Sequence, residues 1–288
     1  MTDYVGDSSY YAGGIVERII TAETKINLPQ HNVMLPLITN APMESGDSWT
    51  IPVWNFTTEL GATAMAQITD YDTGATKAEP ESAKVNTACA LYGMYLRLFD
   101  EAQDSSVEDI NVRLGQAAAA AAGAKIDVLT GDLLSAFSNT AGSSSIAMTV
   151  DNLFDAASQV HANGGMGQLQ GVFHPYQLEG ENGLSNDLVT TTSMQGNSAQ
   201  SQAMLNGFFM PVGGVNLFSN RNAKTATTSH YGGVFTRDAI GFGWVNPLVR
   251  FELDRVPKIA ATDLVVRIFG SAKEIVDVYG VTLRTKTS

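Results

Sequence analysis

The stretch from Ser106 to Phe137 constrains this chain more than any other, because its spacing suits only an α-helix. Apolar or small residues fall at Val107, Ile110, Leu114, Ala118, Ala121, Val128, Leu129, Leu133 and Phe137, which form one helical stripe. A capping box opens it: Ser105 can accept from the first turn while Glu108 reaches back. Its middle, Ala117 to Ala122, combines the strongest helix former with a face so slim that another layer of backbone can lie against it. At 1.5 Å per residue the helix would run roughly 48 Å, a beam between regions more than one rod of a bundle. Asp100, Glu101, Asp104, Glu108 and Asp109 crowd its start, where the positive end of the macrodipole accounts for them without a metal or a catalytic role.

The chain has 288 residues and 44% hydrophobic content, enough for one large domain or two modest ones with a real core. No apolar run approaches the length of a membrane span, and Met1 to Tyr10 lacks the basic and apolar regions of a signal peptide. The protein is therefore expected to stay where it is made and to need no membrane. The single cysteine, Cys89, cannot form an internal disulfide, and a reducing compartment suits it. A net charge of −12 with no dense basic cluster argues against gripping nucleic acid, since counterion release needs a positive footprint. Only 16% of residues are charged, against roughly 25% in an average domain. Another copy of the same chain is the simplest cover for such a surface.

Residues 1–45 hold one short helical stretch, Gly14 to Ala22, and are otherwise broken by Pro29, Pro36 and Pro42. They form an arm that is too apolar at Val33 to Leu37 to stand in water, so it must lie on its own domain or on a neighbour. Trp49 to Phe56 and Lys84 to Arg97 then predict the two strands of a long antiparallel hairpin, with Pro52 demanding an edge or a bulge. A two-stranded ribbon is marginal alone, so Trp49, Val53, Trp54, Leu91 and Tyr92 are expected to be anchors on a partner chain. Beyond the long helix, Asn139 to Ser145 is a polar hinge, and Thr149 caps a helix running to about His161. Leu169 to Phe173 predicts a buried strand, Thr190 to Gln202 an uncharged polar loop, and Gly214 to Ser219 another strand. A second polar loop, Arg221 to Ser229, precedes Gly233 to Thr236. Leu248 to Arg255, Asp263 to Phe269 and Glu274 to Arg284 complete the strands.

Chemistry is sparse. His31, His161, His174 and His230 lie in different elements with no metal-ligand spacing between them. There is no Gly-x-Ser-x-Gly elbow and no phosphate loop, and Gly164-Gly165 with Gly167 follows a helix, the wrong context for a dinucleotide fingerprint. His174-Pro175 after a buried strand could carry an imidazole where open sheets place active sites, but nothing is fixed beside it. Trp49, Trp54 and Trp244 could line a glycan platform, but tryptophans in apolar strands are more often core or interface anchors. No catalytic residue, metal ligand or cofactor is assigned.

Arm, long hairpin, long helix, mixed α/β unit and terminal strands together make an order that resembles the HK97-like major capsid proteins of tailed bacteriophages, an α+β fold. The phrases that carry the resemblance are Leu169-Gln170-Gly171-Val172-Phe173-His174-Pro175 and Gly233-Val234-Phe235-Thr236-Arg237-Asp238-Ala239-Ile240-Gly241, with Tyr279-Gly280-Val281 near the end. The resemblance implies an N-terminal arm (1–45), an extended loop (46–98), a peripheral domain with its spine helix (99–145 and 246–272) and an axial domain (146–245 and 273–288). It implies self-assembly into pentamers and hexamers of an icosahedral capsid, formed in the host cytoplasm, that encloses double-stranded DNA in the virion without binding it specifically. With about 45 residues ahead of the hairpin, a separate scaffolding protein is the implied partner, beside a portal and decoration proteins. Ser193, Gln195, Asn197 and Gln200 would then ring the capsomer axis, where like charges would repel. Lys77 and Lys84 stand on the loop that carries a covalent crosslink in part of that family. An encapsulin-like compartment remains an alternative, as does a glycan-binding or hydrolytic domain.

Overall fold

The computed structural model describes residues 22–24, 26–28, 31–54, 82–101, 110–190 and 209–287. After a 3-10 turn at Leu35–Leu37 come β1 (Thr39–Met43), β2 (Ser48–Trp54), β3 (Ser82–Ala88) and β4 (Ala90–Phe99). The middle holds α1 (Ile110–Gly131), β5 (Asn139–Gly142), α2 (Val150–Ala162), β6 (Leu169–Phe173), α3 (Pro175–Glu179) and α4 (Leu184–Thr190). The last third is strand: β7 (Phe209–Val212), β8 (Val215–Ser219), β9 (Thr225–Ala226), β10 (Ser229–Phe235), β11 (Ile240–Val245), β12 (Arg250–Val256), β13 (Ala261–Glu274) and β14 (Gly280–Lys286).

Small residues determine how α1 packs. Ala118, Ala122 and Ile126 are buried in the core beneath the first sheet, and the arm lies along the helix. A Cβ on Gly123 would stand 2.7 Å from the His31 carbonyl oxygen, so glycine is what lets the two backbones touch. Thr24 Oγ1 donates to the Gly115 carbonyl at 3.0 Å, and the buried Asp127 carboxylate accepts from Val33 N at 3.1 Å and Met34 N at 3.0 Å. Burial pushes the Asp127 carboxyl up, and those two N–H donors pull the other way. The arm thus rests on its own subunit, one of the two supports its apolar residues allowed.

Phe137 does not lie on the helix, as its spacing suggested. After Gly131 the chain tightens into a 3-10 turn at Asp132–Ser135, and Thr282 Oγ1 donates to the Leu134 carbonyl at 2.7 Å, satisfying one of the acceptors that a helix end leaves open. Phe137 is thereby thrown sideways under Gly280, where a Cβ would meet its ring at 2.3 Å. The eight residues before Ile110, where the capping box falls, lie outside the described residues, as does nearly all of the stretch Gly14 to Ala22.

Two sheets organise the rest. The first has the order β1-β11-β13-β12, with β4 pairing β13 over Ala261↔Phe99 through Gly270↔Ala90. The second has the order β5-β14-β10-β6-β8-β7, with β9 on β10. Here α2 lays Leu153, Ala156, Ala157 and Val160 on a core shared with Val234, Val281 and Leu283, and Thr149 caps it by accepting from Asn152 N at 3.2 Å. The ribbon β2–β3 is a separate two-stranded sheet, Ser48↔Ala88 to Trp54↔Ser82.

Three expectations are corrected. The run Lys84 to Arg97 is not one arm of the hairpin: it breaks at Cys89, whose N–H donates to the Asp47 carbonyl at 2.7 Å, and only β3 stays with β2. Its second half, β4, joins the first sheet because Tyr92, Met94, Leu96 and Leu98 are half-buried on that sheet's inner side. Asn139 to Gly142, expected as part of a hinge, is a strand parallel to β14, and Gly142 takes φ +73° where a Cβ would be 2.4 Å from the Arg284 carbonyl oxygen. Pro42 sits within β1, which pairs parallel with β11 inside a stretch expected to be irregular. Sheet membership puts 39–43 and 240–245 in the first sheet and 139–142 in the second.

Candidate subunit-contact surface

The ribbon is rooted by Trp49. Its indole N–H donates to Ser271 Oγ at 2.8 Å, and the ring lies over two glycines of β11, where a Cβ on Gly243 would be 2.2 Å from its Cδ1. At 2% exposed, the ring is consumed inside its own subunit, which removes Trp49 from the expected contacts with a neighbour. Val53 is half-buried on β2. Trp54 ends that strand, and its side chain lies outside the described residues, as do Lys77, Ser193, Gln195, Asn197 and Gln200.

Strand β4 alternates. Tyr92 faces inward, and its ring lies 4.5 Å from Lys125 Nζ on α1. On the opposite face Leu91, Tyr95 and Phe99 are 62%, 53% and 51% exposed, four residues apart in a straight row. Register places Phe269, Val265 and Ala261 of β13 beside them. Two ion pairs lie on this face: Arg97 Nε and Nη2 donate to the two oxygens of Asp263 at 2.7 and 2.9 Å, and Arg267 Nη2 donates to Glu252 Oε2 at 2.7 Å. Asp254 stands across from Asp263 on the same face, and Arg255, two-pronged on Asp100, belongs to the opposite face in register with Leu98. The Arg97 guanidinium holds the Asp263 carboxyl below the usual carboxylate range, and Asp263 in turn drives Arg97 upward. The result is an outward face that exposes three large apolar side chains between two ion pairs.

His174 is a helix cap. Its Nδ1 accepts from Tyr176 N at 3.3 Å, and its own N–H donates to Gln177 Oε1 at 3.1 Å, which starts α3. The imidazole stacks on His230, ring centroids 4.6 Å apart and planes within 4°. Burial lowers the pKa of both histidines, and His174 is lowered further by its partner. The partnership with His230 has no sequence signal, since His230 arrives on β10, and Gln177 locks the arrangement by donating to the His230 carbonyl at 3.3 Å and to Thr285 Oγ1 at 3.0 Å. Among the described residues no group of three or more His, Cys, Asp or Glu could hold a metal, and no helix is long and apolar enough to cross a membrane.

No family model and no curated protein matches this chain. Solved structures do. The capsid of Ralstonia phage GP4 is similar at 10% identity over 88% of this chain and 87% of that one, with a TM-score of 0.65. The capsid structure of cyanophage P-SCSP1u aligns at 14% identity over 89% of both chains with a TM-score of 0.62. The SrpI encapsulin of Synechococcus elongatus PCC 7942 aligns at 11% identity over 87% and 85% with a TM-score of 0.55. At such identities the likeness is one of fold, and the fold is the α+β, HK97-like fold of phage major capsid proteins.

Proposed function

We propose that this HK97-like chain is the structural subunit of a protein shell, forming the pentamers and hexamers of an icosahedral capsid around double-stranded DNA. The observation that carries the reading is a fold shared along nearly nine-tenths of both chains with phage capsids. The outward face of β4 and β13 supports it, because Leu91, Tyr95 and Phe99 need a partner to leave water. In this reading the ribbon reaches over a neighbouring subunit, with Leu91, Tyr92, Val53 and Trp54 near the contact and Lys77 on the ribbon tip. The loop bearing Ser193, Gln195, Asn197 and Gln200 lies at the capsomer axis. The first sheet and α1 make the peripheral domain, and the second sheet with α2 makes the axial domain. A separate scaffolding protein, a portal and decoration proteins complete the virion. The chain works without catalytic chemistry, and His174 serves the fold as a cap. The net charge of −12 suits a wall that encloses DNA without holding it.

The encapsulin likeness supports a second reading, a cellular compartment that holds protein cargo. Negative-stain microscopy and absorbance of purified particles from the native source separate the two. The capsid reading expects closed shells with a nucleic-acid spectrum. Shells that contain protein alone favour the compartment, and a monodisperse monomer at high concentration contradicts both.

A further inference from the structure

The two faces of the second sheet carry opposite charge. On the side of α2, α3 and α4 stand Asp151, Asp155, Glu179, Glu181 and Asp187, and residues 126–220 contain neither lysine nor arginine. The other face, where β10 begins and β14 finishes, is the reverse. Residues 221–235 and 280–288 bring Arg221, Lys224, Arg284 and Lys286 and not one acid, in a chain where acids outnumber cations 29 to 17. Leu283 and Thr285 turn toward α2 and α3, so Arg284 and Lys286 between and beyond them take the opposite side. No stretch of sequence shows this cluster, because its members come from separate segments that meet only through the register Ser229↔Lys286 and Tyr231↔Arg284.

The cations are held in place. Lys224 Nζ donates to Ser135 Oγ at 2.9 Å and lies 5.9 Å from the Tyr231 ring centroid, while Arg284 lies over the same ring at 5.4 Å with its Nε donating to Ser229 Oγ at 3.1 Å. One aromatic ring thus fixes two cations. Arg284 keeps the two terminal nitrogens of its fork, Lys224 keeps two N–H groups, and Lys286 stands two residues, about 6.6 Å, along the same face. Among the described residues none of the four cations pairs with a carboxylate, not even with Asp132 at the head of the turn that carries Ser135, whereas Arg97, Arg255 and Arg267 of the first sheet each hold one. Cations that a fold gathers, orients and leaves unpaired are placed for an anion from outside. These side chains can only donate and a phosphodiester backbone can only accept, whereas a protein face would bring N–H groups of its own. We propose that this end of the second sheet is a contact for the phosphate backbone of nucleic acid. The proposal deepens the shell reading and rests on it: the face turns to the interior, and each subunit offers one sequence-independent contact too slight to hold DNA alone.

The test measures, by fluorescence anisotropy across a range of salt, the binding of a short DNA duplex of mixed sequence to full-length subunits kept below the concentration at which shells form. Affinity should fall with salt at a log–log slope of about −3, as three or four neutralised phosphates require. Lys224→Gln, Arg284→Gln and Lys286→Gln should each make that slope shallower by about one. Arg250→Gln, which removes an equal charge from the first sheet, should leave it unchanged. In DNA-filled particles from the native source, ultraviolet cross-linking and mass spectrometry should find nucleotide adducts within 221–231 or 280–288. No measurable affinity for the duplex at low salt, an equal change of slope in Arg250→Gln, or adducts confined to other segments overturns the contact while the shell reading stands. Carbodiimide coupling of Lys224 to an acid of a second copy in the same particles does so too, since the partner would then be an acidic protein face. Shells that carry no nucleic acid overturn the capsid reading, and this contact with it.

Discussion

The two sheets bury their strands differently. In the second sheet β10 is buried along nearly its whole length, with α2 on one side and Gln177, Phe173 and Leu134 against it elsewhere. In the first sheet β4 and β12 are buried on alternate residues only, and the outward set includes Leu91, Tyr95 and Phe99. A sheet closed on both faces has finished its packing within one chain. A sheet that leaves large apolar side chains on one face has not. Both sheets stand on buried cores, so the difference lies in the outward face of β4 and β12, which stays open in the single chain.

Truncation in the closed half should have the largest effect. Phe173 of β6 is fully buried, and Phe173→Ala should cost about 3–5 kcal/mol, measured as a drop in the urea midpoint at unchanged slope. A loss under about 1 kcal/mol would show that this half is not closed. At the root of the ribbon, Gly243→Ala forces a methyl into the Trp49 ring and should cost about 1–3 kcal/mol, with Trp49→Leu in the same chain recovering much of it.

The third effect depends on pH and is confined to the second sheet. His174 and His230 both titrate below their ordinary value of 6.5 in the folded chain, because burial disfavours the charged rings. The unfolded chain therefore binds more protons in that window. Their contribution is fully present above about pH 6.5 and is lost as pH falls through the folded values. Urea midpoints at pH 7.5 and 5.5 should differ in that direction, and His174→Asn, which can still cap α3, should shrink the difference. A steeper dependence in that variant would contradict the stacking argument. The smallest effect on folding belongs to the open face: Leu91→Ser should change stability by less than about 0.5 kcal/mol while reducing particle yield. Full yield with normal particle stability would mean the face is not a contact.

Much of this division was legible in the residues. The α-helix after Thr149 followed from its cap, the strand Leu169 to Phe173 from its apolar run, and the Ile110–Gly131 part of the long helix from its period. The break at Cys89 did not, because a strand that changes partners keeps its alternation, and the period carries no record of which strand lies alongside. Strand β1 hid behind Pro42 at an edge where a missing N–H costs little. Trp49 had the profile of an interface anchor, and what makes it a core residue is Gly241 and Gly243, nearly two hundred positions away. Residues 191–202 of the expected uncharged loop and Lys77 lie outside the described residues, so their places at the axis and on the ribbon tip stand as proposals.

The account turns on whether the ribbon joins subunits. Replacing Leu60 to Lys77 with a short Gly/Ser turn leaves Trp49 and both sheets intact, so far-UV circular dichroism and the thermal midpoint should match the parent within a few degrees. Sedimentation velocity of the same sample should then show subunits or isolated capsomers where the parent sediments as closed shells. Shells of normal size and stability from the shortened chain would contradict the claim that the ribbon clamps one subunit to the next.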